Sequence, residues 1–325
     1  MFIMRSGFGE DGWCGLEITF DRGVYLPEAD LWLDSLRKQD RGIISHAHSD
    51  HTARHHRPVL TANTHRLLSD YLKKSSPTIL GYGEPLETDK YTLTLHPAGH
   101  CLGSAQVLVQ SKFSGERVLY TGDFKAKPSP VNEPLTAVPC DILVIESTYG
   151  RPEYTFPPEQ QVLETAYKTL RTWMSRGECA VVMGWRLGKS QELLHHLLSE
   201  GFEAVVEQSV YKVVETYQEA GVTFPGKFQP FDGTWPEGTV LICPPGRWSS
   251  NELRGFRHKR FMELTGWATG GYRGWGRRGD SSLPFSDHAD FNELVGYVRQ
   301  VGPKQVYTVN GFPELADHLR ELGYP

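Results

Sequence analysis

The sequence predicts an α/β protein in which a second, smaller α/β domain interrupts the first. Three observations lead to this prediction. Short apolar and β-branched segments fill the first 150 residues, helices and strands alternate after residue 159, and mixed segments return after residue 284. We therefore expect one domain over residues 1–150 and 265–325, and an inserted domain over residues 151–264.

The first part is predicted to consist mainly of short strands separated by turn residues. One segment, Thr64–Lys74, carries its apolar residues at helical spacing and is predicted to be a helix. Loops that follow strands are the usual place for ligand-binding residues, so such residues are expected at the strand ends. The predicted strands are Leu16–Phe20, Gly23–Leu26, Leu31–Leu33, Gly42–Ser45, Tyr91–His96, Ala105–Gln110, Val118–Thr121 and Ile142–Glu146.

The later parts of the chain are predicted from a change in the order of secondary-structure elements. A segment with three prolines, Arg151–Pro158, separates the strand-rich part from a regular alternation of helix and strand. The predicted elements of the inserted domain are helices Gln160–Ser175, Ser190–Leu198 and Lys212–Ala220 and strands Cys179–Met183, Ala204–Val206 and Val240–Cys243. The last part is predicted to contain Asn292–Val301, Gln305–Val309 and Glu314–Leu322.

Composition excludes several classes of protein. The formal net charge is −5, so any contact with nucleic acid must come from a local basic patch rather than from the whole chain. The five cysteines are odd in number and lack CxxC spacing, which argues against a disulfide framework and a cysteine-rich zinc module. No segment has the length of apolar sequence that a signal peptide or a membrane span needs. We expect a cytoplasmic protein that does not contact a membrane.

The most informative motif is the segment Ser45–His51, which follows a predicted strand and contains four side chains able to bind a metal. Imidazole nitrogen and carboxylate oxygen are both ligands that Zn²⁺ accepts. His46 and His48 are two residues apart, so they point the same way on an extended chain. Asp50 and His51 follow where the chain can turn, which allows a second, adjacent set of ligands.

Two further candidates lie at the ends of later strands. His100 stands in the glycine-flanked turn Pro97–Ser104, and Asp123 follows Gly122 directly after a strand. Each alone is typical of an ordinary turn, because Asp and Gly are good turn formers. Their order after the histidine-rich segment is what indicates a shared metal site.

This series of residues resembles the motif series of the metallo-β-lactamase superfamily, whose fold is an αββα sandwich with a metal site at one edge. Ile145–Gly150 and Phe285–Asp290 resemble the acidic motif and the later histidine motif of its β-CASP nucleases, in which a small α/β domain is inserted. That group includes Artemis-like DNA repair nucleases and RNA-processing endonucleases. The turn at His100 and the tripeptide Gly266–Ala268 look most like the exonucleases associated with ATP-dependent DNA ligases.

The resemblance implies a role for each matching residue. A first zinc ion would be held by His46, His48, His100 and Asp123, and a second metal by Asp50 and His51 with Asp123 as the bridge. Asp50 would also orient the attacking nucleophile, His288 would act as general acid or charge stabiliser, Glu146 would orient His288, and Asp34 would fix the tautomer of a ligand histidine. Zinc is the expected metal, with manganese as the alternative. An ATP-dependent DNA ligase or a helicase is the partner that the resemblance suggests.

One position departs from the family pattern. The family usually has a ligand histidine in a late His-Gly dipeptide, and this chain has Asn310 followed by Gly311. A neutral amide oxygen is a weak ligand for zinc, so the number of metals stays open. As the resemblance implies, RNA-cleaving members keep that histidine and DNA-cleaving members often lack it. The departure therefore favours DNA over RNA, and it would equally suit a chain of reduced activity.

Two groups of residues are candidates for binding nucleic acid. The basic run of the inserted domain and the glycine-rich segment after it mix cations, which bind phosphates, with aromatic rings, which stack on unpaired bases. The candidates are Arg257, Lys259, Arg260, Tyr272, Arg273, Trp275, Arg277 and Arg278. The sequence Met183–Ser190 nearly matches a phosphate-binding P-loop but has methionine where the first glycine is required. We do not expect an NTPase, although Lys189 and Ser190 are candidates for binding a phosphate of a nucleic-acid strand.

The favoured interpretation is a single-strand DNA exonuclease in repair. An RNA-processing nuclease would use the same chemistry, and an inactive nucleic-acid-binding scaffold would lack the metal. A small-molecule hydrolase is disfavoured by the inserted domain and by the loop of basic and aromatic residues that follows it.

Overall fold

The structure of the protein, a computed structural model, describes residues 2–4, 17–246, 253–269 and 280–325. The chain divides into two compact units: the first comprises residues 1–128, 132–151 and 292–325, and the second comprises residues 129–131 and 152–291. Both units combine helices with sheets, so the predicted α/β class is confirmed.

The strands of the first sheet of the first unit follow one another across the sheet in chain order. Its strands pair antiparallel up to the fourth and parallel from there on. They are β1 (Phe2–Met4), β2 (Ile18–Phe20), β3 (Val24–Leu26), β4 (Leu31–Leu33), β5 (Arg41–Ile43), β6 (Arg57–Leu60) and β7 (Thr78–Ile79).

The second sheet of this unit has the strand order β19-β12-β11-β10-β9-β8. Its strands are β8 (Leu86–Glu87), β9 (Tyr91–Pro97), β10 (Ala105–Ser111), β11 (Arg117–Tyr120), β12 (Ile142–Glu146) and β19 (Gln305–Val309). Because β19 pairs parallel with β12, the last part of the chain returns to the edge of the first unit.

The two sheets pack face to face, and helices cover their outer faces. Ile43 belongs to the core that the sheets share, whereas its neighbour Ile44 contacts Leu68, just beyond helix α1 (Ala62–Leu67). On the second sheet, Gln106 accepts a hydrogen bond from Tyr297 of α5 (Phe291–Val301). Helix α6 (Glu314–Glu321) packs on β19. This is the αββα arrangement expected from the resemblance.

The second unit contains one sheet in which all described pairs are parallel, as the alternation of helix and strand predicts. The strand order is β15-β14-β16-β13-β17-β18. Its strands are β13 (Cys179–Met183), β14 (Glu203–Val206), β15 (Phe228–Pro230), β16 (Thr239–Cys243), β17 (Lys259–Leu264) and β18 (Ser281–Leu283). Its helices are α2 (Glu159–Ser175), α3 (Lys189–Ser199) and α4 (Gln208–Glu219).

The structure differs from the sequence prediction at several elements, of which three concern the site or the division into units. The helix predicted over Thr64–Lys74 is the shorter α1, and the chain continues through turns. β17 begins inside the run that had been interpreted as a basic surface patch. The return to the first unit comes after Phe291 rather than at residue 265, because β18 pairs with β17 and so extends the second unit. The boundaries of the family's domains stay a prediction. None of the helices in the described ranges has the length and apolar composition needed to cross a bilayer.

Candidate metal centre

The segment Ser45–His51 begins where the first sheet stops pairing. Ile44 still donates its N–H to the carbonyl of Val59 (3.0 Å), and the chain turns away after it. This places His46 and His51 in the interior, whereas His48 is half-buried. The strand therefore brings three imidazoles of one short segment to a single edge of the sandwich.

His100 is presented by a tight turn after β9. Gly99 has a φ of +79°, and a Cβ there would lie 2.4 Å from the carbonyl oxygen of Lys125, so only glycine fits. The hydroxyl of Ser104 accepts hydrogen bonds from the N–H of His100 (3.1 Å) and of Cys101 (3.2 Å). The turn thus fixes the backbone on both sides of the His100 ring.

Asp123 follows β11 in a similar turn. Gly122 has a φ of +56°, and a Cβ there would lie 2.8 Å from the hydroxyl of Ser45. This close approach brings the strand end carrying Asp123 against the segment carrying His46. The end of β11 in the second sheet and the segment after β5 in the first sheet can therefore approach each other because Gly122 has no side chain.

The four residues assigned to the first metal converge. His46, His48, His100 and Asp123 each offer one ligand atom, and these atoms all lie within 4.8 Å of one another. The Nε2 atoms of His46 and His100 are 3.6 and 3.9 Å from Oδ2 of Asp123. Nδ1 of His48 lies 3.0 Å from Nε2 of His100.

A metal ion fits this arrangement. Nε2 of His46 is buried and has no hydrogen-bond partner within the described parts of the chain. A buried polar atom without a partner is costly unless it binds something else, and imidazole nitrogen is a good ligand for borderline-soft divalent ions. Three imidazoles and one carboxylate are a donor set that supports a metal cofactor.

Asp34 organises the neighbouring histidine. Its carboxylate accepts hydrogen bonds from the N–H (2.7 Å) and hydroxyl (2.5 Å) of Ser45 and from the hydroxyl of Tyr120 (2.9 Å). The same carboxylate is 2.7 Å from Nδ1 of His51, which leaves Nε2 of that ring 3.2 Å from Asp123. Asp34 thus contacts a histidine of the motif, and its role in fixing the tautomer of a metal ligand stays a prediction.

The electrostatics of the site favour one added positive charge. Burial lowers the pKa of His46 well below its usual value, and the neighbouring His51 lowers it further. Burial also opposes the charged form of His51, but the carboxylates of Asp123 and Asp34 outweigh it and raise its pKa well above the usual value. The two carboxylates therefore attract a cation, which either a proton or a metal ion can provide.

Asp50 and Asn310 both lie on the wall of a cavity of about 690 Å³ in the first unit. Asp50 is exposed and belongs to neither of the close groups formed by His46, His51 and their neighbours in the described chain. Asn310 has a φ of +56° at the end of β19. Asp34 and Tyr120 border the same cavity, so it opens beside the predicted second-metal position.

Glu146 is buried at the end of β12. One carboxylate oxygen accepts a hydrogen bond from the N–H of Phe124 (2.7 Å), and the other accepts one from the hydroxyl of Thr148 (2.5 Å). The residue therefore fixes the backbone next to Asp123. Its predicted role in orienting His288 stays a prediction.

His288 lies in the second unit, after β18, and is half-buried. Its N–H donates to the hydroxyl of Ser286 (3.0 Å). The residues around it in sequence, Phe285–Asp287 and Ala289–Asp290, are all buried. His288 is thus the one partly exposed side chain between Phe285 and Asp290.

The candidates for nucleic-acid binding divide into three classes. Lys189, Ser190, Lys259 and Arg260 all make contacts within the second unit. Lys189 and Ser190 are buried, so the direct phosphate contacts expected of these two are wrong. Lys259 and Arg260 are half-buried, and the phosphate contacts expected of them stay a prediction. Lys189 is buried against Asp287, Ser190 donates to the carbonyl of Gly184 (3.0 Å), Lys259 donates to the carbonyl of Leu253 (2.7 Å), and Arg260 pairs with Glu178 (3.0 Å) and Asp280 (2.8 Å). Arg257 is exposed. Tyr272, Arg273, Trp275, Arg277 and Arg278 lie outside the described residues.

Two residues that support the site were not predicted from the sequence. Ser45 and Tyr120 both donate hydrogen bonds to Asp34, and Ser45 also contacts Nδ1 of His46 at 2.9 Å. Ser45 immediately precedes the histidines, and Tyr120 stands three residues before Asp123. Their closeness in sequence to predicted ligands could therefore have indicated a role in the site. Neither residue type suggests metal binding by itself.

Comparisons with known proteins indicate a metallo-hydrolase family. The model of the Zn-dependent metallo-hydrolase RNA specificity domain (RMMBL) matches residues 281–324. The chain is 37% identical over 310 residues to a "Probable DNA ligase" of Opitutus terrae, which covers 94% of this chain and 30% of that protein. It is 28% identical over 306 residues to "5′ exonuclease Apollo" of Gallus gallus, which covers 88% of this chain and 63% of that protein. The chain therefore spans only part of these relatives.

A solved structure shows a related fold. It is the crystal structure of a protein of unknown function from Enterococcus faecalis V583, with a TM-score of 0.56 and 11% sequence identity. The match covers 83% of this chain and 75% of that one. At this level of identity the likeness concerns the fold alone.

Proposed function

Because this chain belongs to the metallo-β-lactamase superfamily and to its β-CASP group, we propose that it is a metal-dependent nuclease that hydrolyses phosphodiester bonds of DNA, as a single-strand exonuclease in repair. The observation that carries the proposal is the convergence of His46, His48, His100 and Asp123 within 4.8 Å. Zinc is the proposed ion, and manganese is the alternative.

Each residue of the site has a defined part in this proposal. Bound at the four residues, a divalent ion would lower the pKa of a water molecule to about 7 and neutralise charge on the phosphate. Asp34 holds the ring of His51 in one orientation through the bond to Nδ1. Asp50 would orient the nucleophile, and His288 would donate a proton to the leaving oxygen or stabilise its charge.

The preference for DNA is supported by Asn310, where the family usually has a ligand histidine, and by the name of the relative from Opitutus terrae, a probable DNA ligase. The name of the relative from Gallus gallus supports the exonuclease activity. The similarity to a protein named as a probable DNA ligase supports a ligase as partner, and a helicase is the alternative partner. We propose the exposed Arg257 and the aromatic and basic residues of 272–278 as contacts for the nucleic acid.

A second candidate function is RNA cleavage by the same residues. It is favoured by the match of residues 281–324 to a domain described as one of RNA specificity. The chemistry at the metal would be identical, so the two functions differ only in the contacts that the ribose and the bases make.

The two functions separate in one experiment. Metal-loaded protein is incubated with single-stranded DNA and RNA of the same sequence, labelled at the 5′ or the 3′ end in separate samples, with Asp123→Ala as control. Short products from DNA that disappear in the variant would support the repair exonuclease and show its polarity. Cleavage of RNA alone would replace it with the second candidate. Bound metal without cleavage of either would contradict both, and a chain that binds no metal would point to a scaffold.

A further inference from the structure

The short segment Phe285–Asp290, here called the His288 segment, is held at several points within the second unit. Phe285 lies in the hydrophobic core of that unit. Oδ2 of Asp290 accepts a hydrogen bond from the N–H of Phe156 (2.9 Å). His288 is the one member of the segment that is not buried. What fixes this segment therefore fixes the backbone position from which that imidazole projects.

A buried ion pair joins the segment to helix α3. Nζ of Lys189 lies 3.0 Å from Oδ1 of Asp287, and each residue is only 2% exposed. Both charges lose hydration at this depth, so each is tolerated because the other is present. Lys189 also stands in the first turn of its helix, where the helix dipole disfavours a cation. The carboxylate of Asp287 compensates for this position too.

The same face of α3 makes a second contact with the segment. His196 is seven residues after Lys189, a spacing that returns to the same side of a helix. Its ring lies edge-on to Phe285 with 6.1 Å between the centroids. The helix is itself fixed, since Leu193, Leu194 and Leu197 are part of the core. One rigid helix therefore contacts the segment on two of the three residues before His288.

We propose that Lys189 is a positioning residue for His288, and that it acts through the carboxylate of Asp287. The P-loop-like sequence around Lys189 then serves to hold a reactive side chain in place rather than to bind a phosphate. The proposal rests on the proposed function, in which His288 acts on the substrate. It concerns residues of the second unit only.

The test is a double-mutant cycle in the full-length, metal-loaded protein. The variants are Lys189→Met, His288→Ala and the two combined, with Lys212→Met, an exposed lysine of α4, as matched control. The measured quantities are kcat and KM on labelled single-stranded nucleic acid, and the NMR signals of ¹³C-labelled histidine rings. The charge-free pair Lys189→Met/Asp287→Asn is included because it removes both buried charges and leaves neither of them unpaired.

A small displacement of a reactive group can cost about 100-fold in rate, so we expect Lys189→Met to lower kcat by about that order with little change in KM. The His288 ring signal should move, the Lys212→Met protein should match wild type, and Lys189→Met should have no further effect once His288 is alanine. Losses that multiply in the combined variant, or an unchanged kcat and ring signal, would overturn the proposal. If the wild type cleaves nothing, the proposed function fails, while a ring signal that moves still supports the positioning role.

Discussion

Asp34 connects three parts of the site through one carboxylate. It fixes Ser45, Tyr120 and His51, and none of these contacts requires the carboxylate to bind the metal itself. We expect Asp34→Asn to lower metal affinity by about 10- to 100-fold, because the amide cannot serve as acceptor for all of these groups. Titration against a chelator of known affinity measures the effect.

The control for this substitution is Asp89→Asn, which removes a carboxylate from an exposed position before β9. It should leave the affinity unchanged. Equal losses in both variants would mean that net charge, rather than the contacts of Asp34, determines the affinity.

Asn310 occupies a backbone conformation that suits very few residue types. Its φ of +56° lies in the left-handed region, where Asn, Asp and His are the side chains most often accepted. Histidine should therefore fit there without rearrangement, next to the cavity that Asp50 also borders. We expect Asn310→His to raise the number of metal ions bound per chain, measured by elemental analysis after dialysis. A metal content equal to that of the wild type would show that this position does not limit the second ion.

At the scale of elements, the site depends on the turn that follows β11 (Arg117–Tyr120). Gly122 combines a positive φ with a Cβ position 2.8 Å from Ser45, whereas Gly115 has a φ of +74° and open space around it. Gly115→Ala should therefore cost only the backbone strain, about 1–2 kcal/mol in the free energy of unfolding. Gly122→Ala should cost more and should also weaken metal binding, because Asp123 follows it directly.

Chemical denaturation and metal titration of both variants distinguish these effects. If Gly122→Ala loses stability but keeps its metal affinity, the close approach of the two segments would not position Asp123. If the two variants are equally stable, the contact with Ser45 would be unimportant for folding.

The elements show how far the sequence predicts the fold. Strands with continuous apolar runs, such as Ile142–Glu146 and Cys179–Met183, were predicted with their observed bounds, because buried parallel strands have an unambiguous pattern. β17 was missed because Lys259 and Arg260 open it with charges. The charge of Arg260 is paired with Glu178 and Asp280, which are distant in sequence, so the local pattern cannot reveal these contacts. Lys189 was misread for the same reason, since its partner Asp287 is almost 100 residues away.

At the scale of the molecule, the site is assembled from residues far apart in the chain. His46, His100 and Asp123 were identified because each is a metal-type residue at a strand end, and strand ends meet at one edge of a sheet. This prediction depended on the residue types, because His and Asp are common metal ligands. The supporting contacts of Ser45 and Tyr120 depend on three-dimensional packing, and the sequence alone therefore did not reveal them.

Metal removal should affect the whole protein through the first unit. An ion that binds only the folded state stabilises it by about 2.7 kcal/mol when its concentration is 100-fold above its Kd. For a unit of this size that corresponds to a rise in melting temperature of roughly 5–10 °C. We expect a chelator to abolish the rise, and Asp123→Ala to melt at the same temperature with and without metal, as followed by thermal denaturation at increasing metal concentration. A metal-dependent rise in Asp123→Ala as large as in the wild type would place the stabilising ion at a different site, and the assignment of His46, His48, His100 and Asp123 as its ligands would then be wrong.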